Sequence, residues 1–139
     1  MIVLDTNVIS ELMRANPDPY VIAWVTAQDT LNLTMTTVTV AEIMRGILRL
    51  PEGKHRTDLK ARFSAFVAEG FSGKLLSFDE KAAVLCGEVS SLRESQGLNA
   101  DMVDMMIAAT ARQAGAKLAT RNVSDFAGCG IDLINPWEL

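Results

Sequence analysis

Four acidic residues, Asp5, Glu42, Asp104 and Asp125, stand in largely apolar or turn-forming stretches, and none has a lysine beside it. Asp5 ends the apolar run Ile2-Val3-Leu4. Glu42 lies in Thr39-Val40-Ala41-Glu42-Ile43-Met44, Asp104 in Asp101-Met102-Val103-Asp104-Met105-Met106, and Asp125 in Thr120-Arg121-Asn122-Val123-Ser124-Asp125-Phe126. Carboxylates set among apolar residues are costly unless they are paired or bound to a metal. Oxygen ligands of this kind suit hard divalent cations. Carboxylate chemistry is therefore the chemistry to look for.

Each acid also has a local structural reading. Asp5, Thr6 and Asn7 form a polar turn able to cap a following helix. Thr39 and Glu42 have the spacing of a capping box, which places Glu42 in the first turn of its helix. Asp101 can cap the helix that carries Asp104, and Asp125 suits an Asx turn before Phe126. Taken singly, these readings suffice. Taken together, four acids at strand ends and helix starts point to one site, and helix N-termini favour the negative charge.

Other chemistries lack their residues. His55 is the one histidine, and Cys86 and Cys129 are the two cysteines. That set cannot supply a tetrahedral zinc finger or a His-x-x-x-His metalloprotease helix, and gives little support to a Ser-His-Asp triad. Cys86, in an apolar helical pattern, reads as a buried free thiol. No P-loop or Rossmann glycine pattern is present. The net charge of −4 argues against indiscriminate nucleic-acid binding. From Arg45 to Arg62, however, six basic residues (Arg45, Arg49, Lys54, Arg56, Lys60, Arg62) face two acids. Such a patch reads either as a solvated helix face or as a place for a phosphate backbone.

The elements that must position the acids alternate between strands and helices. Strands are expected at residues 2–4, 31–35, 74–78 and 117–120, with another at 131–134. Helices are expected at 10–16, 20–28, 39–50, 55–70, 80–96 and 101–115, with Pro51, Gly70, Gly97 and Gly115 as stops. This alternation predicts an α/β protein with a parallel sheet, too short for an eight-stranded barrel. With 139 residues and 49% apolar composition, one globular domain covering 1–139 is expected. No apolar run is long enough to span a bilayer, and no basic segment leads into a long apolar stretch, so a cytoplasmic location is expected. In open parallel sheets, sites form beyond the carboxyl ends of strands, where both Asp5 and residues 120–126 fall.

The stretches Ile2–Ser10 (IVLDTNVIS), Thr39–Ile47 (TVAEIMRGI), Asp104–Phe126 (DMMIAATARQAGAKLATRNVSDF) and the tail Asn135-Pro136-Trp137, in that order, resemble the PIN-domain family. Within it they are similar to the VapC-type toxins of bacterial toxin–antitoxin pairs, the FitB-like branch among them. The resemblance spans nearly the whole chain. It implies a PIN-like three-layer α/β fold with a central, mostly parallel sheet flanked by helices. It also implies a ribonuclease dependent on Mg²⁺ or Mn²⁺, with an acidic quartet of Asp5, Glu42, Asp104 and Asp125. The implied partners are RNA as substrate, a cognate antitoxin, a second copy in a homodimer, and operator DNA in a higher assembly with the antitoxin. Some relatives carry Asp where this chain has Asn122, so Asp125 is taken as the fourth acid and Asn122 as its support. Asp5 and Asp104 are expected to hold the metal most directly, with Glu42 and Asp125 acting through waters. Thr6, Asn7, Thr120 and Asn122 would steady these groups, with Asp101 as a further acid on the face of Asp104. The expected reaction is phosphodiester hydrolysis by an activated water, leaving a 5′-phosphate and a 3′-hydroxyl.

Two other functions fit parts of the pattern. A phosphatase working through an aspartyl-phosphate usually places a second Asp two residues after the first, and here Asn7 holds that position. A non-catalytic partner in a DNA-binding complex would tolerate the loss of an acid, and none is missing.

Overall fold

A computed structural model describes all 139 residues. The chain forms β1 (Ile2–Leu4), α1 (Thr6–Leu12), α2 (Pro19–Ala27), β2 (Leu33–Thr34), α3 (Thr37–Leu48), α4 (Lys54–Phe71), α5 (Glu80–Ser95), α6 (Met102–Gln113), β3 (Lys117–Ala119), α7 (Val123–Phe126) and β4 (Leu133–Ile134). The strands pair in the order β2-β1-β3-β4, every pair parallel.

Side chains alternate across a strand, so the central strands feed two cores. Val3 and Leu118 point into one core, with Cys86, Val89, Met105, Ile107 and Phe126. Ile2, Leu4 and Ala119 point into the other, with Val8, Ile9, Val21, Ile47 and Phe63. Helices α5, α6 and α7 therefore cover one face and α1 to α4 the other. This is the three-layer α/β arrangement expected from the sequence.

Several boundaries differ from expectation. Helix α1 begins at Thr6, capped by Asp5, rather than at residue 10. The strand expected at 31–35 shrinks to Leu33–Thr34, because Asp29 caps a single 3₁₀ turn, Thr30–Asn32, just before it. The strand expected at 74–78 contributes only one parallel bridge, Leu76 to Thr36. Helix α4 runs through Gly70 to Phe71, whose side chain is buried, and the positive φ of 72° falls at Gly73. Residues 123–126, expected as loop, wind into one helical turn.

One buried charge ties the α5–α7 layer together. Arg93, only 3% exposed, donates from Nε to the Asn99 carbonyl at 2.8 Å and from Nη1 to the Ala127 carbonyl. It has no acidic partner. Asn99 lies just before α6, which carries Asp104, and Ala127 just after α7, which carries Asp125. A guanidinium removed from water needs its N–H groups satisfied, so the arginine fixes both loops at once. Arg93→Leu should lower the unfolding free energy by about 2 kcal/mol, read from the urea midpoint, because two loop carbonyls lose their charged donor. An unchanged midpoint would show that water replaces the guanidinium freely.

Candidate active site

The order β2-β1-β3-β4 means that the chain leaves β1 toward one edge and β3 toward the other. The crevice at the carboxyl ends of β1 and β3 is the switch point, where open parallel sheets place their ligands. Asp5 and Thr120 occupy it. The Asp5 amide still belongs to the sheet, donating to the Ala119 carbonyl at 2.9 Å. Its side chain is 4% exposed. Oδ1 accepts from the Thr6 amide at 2.8 Å, so Asp5 does cap α1. Oδ2 accepts from the Thr120 hydroxyl at 2.8 Å and from Asn7 Nδ2 at 3.2 Å. The capping and site readings of Asp5 therefore coexist, one on each oxygen.

The neighbouring polar residues hold one another. Asn7 Nδ2 also reaches the Thr120 hydroxyl at 3.3 Å, and Asn7 Oδ1 accepts from the Arg121 backbone amide at 3.3 Å. The Asn122 amide donates to the Thr120 hydroxyl at 3.1 Å. Thr6 turns the other way and donates its hydroxyl to Glu42 Oε1 at 2.5 Å.

Glu42 does not form the capping box. Helix α3 starts at Thr37, and it is Thr36 whose hydroxyl accepts from the Thr39 amide, at 3.1 Å. Glu42 thus sits in the second turn of α3, free to face Thr6 and the crevice. On α6 the local reading holds: Asp101 caps the helix, accepting from the Asp104 amide at 3.1 Å. That leaves the half-buried Asp104 carboxylate without a hydrogen-bond donor from the protein.

Asp5, Glu42 and Asp104 line a single open cavity of about 470 Å³, together with Thr6, Asn7 and Asn122. Asp125 lies across Asp104 in an adjoining cavity of about 210 Å³, with Asn99 and Asp101. Of the two candidates for the fourth position, Asn122 borders the main cavity, while Asp125 supplies charge felt by both Asp5 and Asp104.

Electrostatics sharpen the picture. Burial pushes the Asp5 carboxyl above its ordinary range. The hydrogen bonds from Thr120 and Thr6 oppose that rise, and the charges of Glu42 and Asp125 add to it. Asp104 is pushed up to about 7, first by burial and then by the charges of Asp101, Asp5, Asp125 and Glu42. The molecule's one ion pair, Arg14 with Glu11 at 3.3 Å, neutralises none of the four. No three of the carboxylates close into a tight cage. They surround open space instead, which suits a divalent cation that keeps several of its waters.

The cavity also holds residues that sequence reasoning passed over: Ser10, Glu11, Arg14, Arg121 and Trp137. A signal for two of them was present. Thr6, Ser10 and Arg14 recur at every fourth residue, the spacing of one helix face. Of the basic stretch 45–62, Arg62 and His55 reach a groove that continues from this cavity between α1, α3 and α4, sharing Thr6, Ser10, Arg14 and Glu42 with it.

Comparison with known proteins identifies the family and the fold. Residues 2–127 match the family model described as PIN domain. The chain belongs to the PIN-domain family. Within the family, it is 42% identical over 138 residues to the VapC ribonuclease Y4jK of Sinorhizobium fredii and 35% identical over 138 residues to the toxin FitB of Neisseria gonorrhoeae, each alignment covering 99% of both chains. The crystal structure of FitAcB from Neisseria gonorrhoeae superposes with a TM-score of 0.94 at 35% identity, covering 100% of both chains. The PIN fold of this chain, a four-stranded parallel sheet between helices, is thus that of the VapC and FitB toxins.

The raised pKa of Asp104 makes a stability prediction. An acid whose pKa is higher folded than unfolded binds more protons when folded, so stability falls as pH rises from about 3.8 toward 7. In chelator, Asp104→Asn should therefore melt above wild type at pH 8, by a few degrees, and the difference should shrink at pH 5. If the variant melts lower at both pH values, Asp104 stabilises the fold and the repulsion is relieved elsewhere.

Proposed function

We propose that this chain is the ribonuclease toxin of a toxin–antitoxin pair, hydrolysing RNA phosphodiester bonds at Asp5, Glu42, Asp104 and Asp125 with Mg²⁺ or Mn²⁺. The observation that carries this reading is the set of carboxylates, unneutralised by any cation of the protein, at the switch point of a parallel sheet. Their donors are all oxygen, and their mutual repulsion is relieved by a divalent cation, so residues and ion fit.

In this reading Asp5 and Asp104 would hold the cation, and Glu42 and Asp125 would act through waters. When bound, the cation polarises the phosphoryl oxygen and makes a water more acidic. The protein's own part is orientation. Thr120 and Asn7 fix Asp5 so that its carboxylate cannot swing, and Thr6 fixes Glu42. Asp101 takes over the capping of α6, which leaves Asp104 available to a ligand. Glu42 and Asp125 then orient the water for attack in line with the departing 3′-oxygen.

The names of the relatives support the biological setting. One is a VapC ribonuclease, another a toxin, and a 35% identical structure is of FitAB bound to a DNA fragment. A cognate antitoxin, and operator DNA bound jointly with it, are accordingly the partners proposed here, in the cytoplasm. No helix is long and apolar enough to cross a membrane. A homodimer is also proposed, and the exposed Val84 and Leu92 on α5 offer apolar surface for a second copy. The phosphatase alternative is disfavoured by Asn7, whose amide cannot supply the general acid that the second Asp of an aspartyl-phosphate enzyme would provide.

Wild type with Mn²⁺ should cleave RNA and leave duplex DNA and p-nitrophenyl phosphate untouched. Asp5→Asn and Asp104→Asn should each lower RNA cleavage by about a hundredfold or more, with unchanged circular dichroism. Turnover of the phosphomonoester in place of RNA would overturn the proposal. In the metal-free protein, Mn²⁺ at a hundredfold excess over its dissociation constant should add about 2.7 kcal/mol of stability, seen as a higher Tm that matched NaCl does not give. Asp104→Asn should lose most of that response.

A further inference from the structure

Beyond the carboxylates and their hydrogen-bond partners, the acid cavity is bordered by two contacting pairs, Arg14 with Glu11 and Arg121 with Trp137. The Arg121 guanidinium lies over the Trp137 ring, 5.2 Å from its centroid. Both line the cavity that holds Asp5, Glu42 and Asp104, and Trp137 is the cavity's one hydrophobic residue. Arg121 is exposed and has no acidic partner within ion-pair distance, although it shares a cavity with several carboxylates. A guanidinium attracted to the face of an indole makes that contact without using its N–H groups, which stay available to a phosphate. An arginine placed to neutralise the acids would point its fork at them instead.

The pair is anchored to the catalytic centre by hydrogen bonds. The Arg121 amide donates to the Asn7 side chain at 3.3 Å, and Asn7 in turn donates to Asp5. The Asn135 side chain joins the two halves of the pair: Nδ2 donates to the Arg121 carbonyl at 3.5 Å, and Oδ1 accepts from the Trp137 amide at 3.0 Å. Pro136 is buried and Trp137 is half-buried against the core that contains Leu4 and Ala119. The indole is therefore a fixed platform, and the guanidinium is the exposed group on it.

We propose that Arg121 binds a phosphate of the RNA strand next to the scissile one, and that Trp137 is a positioning residue that holds the guanidinium for it. The proposal rests on the ribonuclease reading. It assigns a substrate contact to the loop after β3 and to the chain's last turn. Cleavage is left to the carboxylates. The strand's path then runs from the acid cavity toward Trp137, while Arg14, which lines the same cavity, is already occupied by Glu11.

The test uses Asp5→Asn protein with Mn²⁺ and a short fluorescein-labelled single-stranded RNA of mixed sequence, read by anisotropy over a range of salt. Arg121→Met should weaken binding about tenfold and reduce the salt slope by about 0.7, the loss of one phosphate contact. Trp137→Leu should weaken binding roughly threefold, Trp137→Tyr should restore it, and the double variant Arg121→Met with Trp137→Leu should bind no worse than Arg121→Met alone. In the Asp5-containing protein, Arg121→Met should raise KM with little change in kcat, and its Mn²⁺-induced rise in Tm should match wild type. RNA affinity and salt slope unchanged by Arg121→Met, in a protein that does cleave RNA, would overturn the phosphate contact and leave the ribonuclease reading standing. Wild type that neither binds nor cleaves RNA would overturn both.

Discussion

A carboxylate without a countercharge sits at the centre of this molecule, and the protein holds it in place with hydrogen bonds alone. Asp5 completes the ladder between the two middle strands through its amide, while its side chain is buried beyond their ends. A buried charge of this kind is tolerated only when its oxygens are satisfied. Here the Thr6 amide, the Thr120 hydroxyl and the Asn7 amide supply the donors. Two of them come from the start of α1 and one from the residue that follows β3, the segments that Asp5 must organise. The geometry of the crevice follows from satisfying this one group.

The remaining acids are placed under the same constraint with different solutions. Glu42 is held by the hydroxyl of Thr6, one residue from Asp5. Asp104 stands in the first turn of α6, where the helix dipole favours its charge but Asp101 already provides the cap. It is left with burial and four negative neighbours, which accounts for its pKa near 7. Capping by one residue and exposure of the next is how a helix start can be stable and still present an unsatisfied ligand. The same division appears on α1, where the two oxygens of Asp5 serve the helix and the crevice separately.

Much of this was legible in the sequence because it depends on local rules. A short apolar run ending in Asp-Thr-Asn identifies β1 and its cap, Asp101 precedes an apolar helix at capping distance, and alternating strands and helices fix the class of fold. The failures also have local causes. Thr34, Thr36, Thr37 and Thr39 crowd one stretch, and propensity alone cannot choose the cap among them. The choice falls on Thr36 because Met35 is fully buried and its carbonyl accepts from Leu76, which keeps the chain extended one residue longer. Strands β2 and β4 lie inside the expected 31–35 and 131–134, but at two residues each they are too short for periodicity to fix their ends. Arg121 and Trp137 lie 16 positions apart and meet only because β3 and β4 are neighbours in the sheet, a non-local fact.

The site lies on a seam. Asp5 and Glu42 belong to elements that pack with α1 to α4, whereas Asp104 and Asp125 belong to α6 and α7 on the opposite face of the sheet. Between these layers run β1 and β3, so repulsion among the acids acts to separate the layers at one end of the sheet. Two features oppose that separation, the Asp5–Thr120 bond across the strand ends and the Asn7 contacts to the β3 loop, while the Arg93 clamp keeps α6 and α7 together within their own layer. A divalent cation held by Asp5 and Asp104 would join the same two layers, which makes the proposed cofactor a structural link as well as a chemical one. On this argument the crevice owes its openness to unrelieved charge and its position to hydrogen bonding. At Asp5 and Glu42 the two are inseparable, because the same oxygens carry the charge and accept the hydrogen bonds.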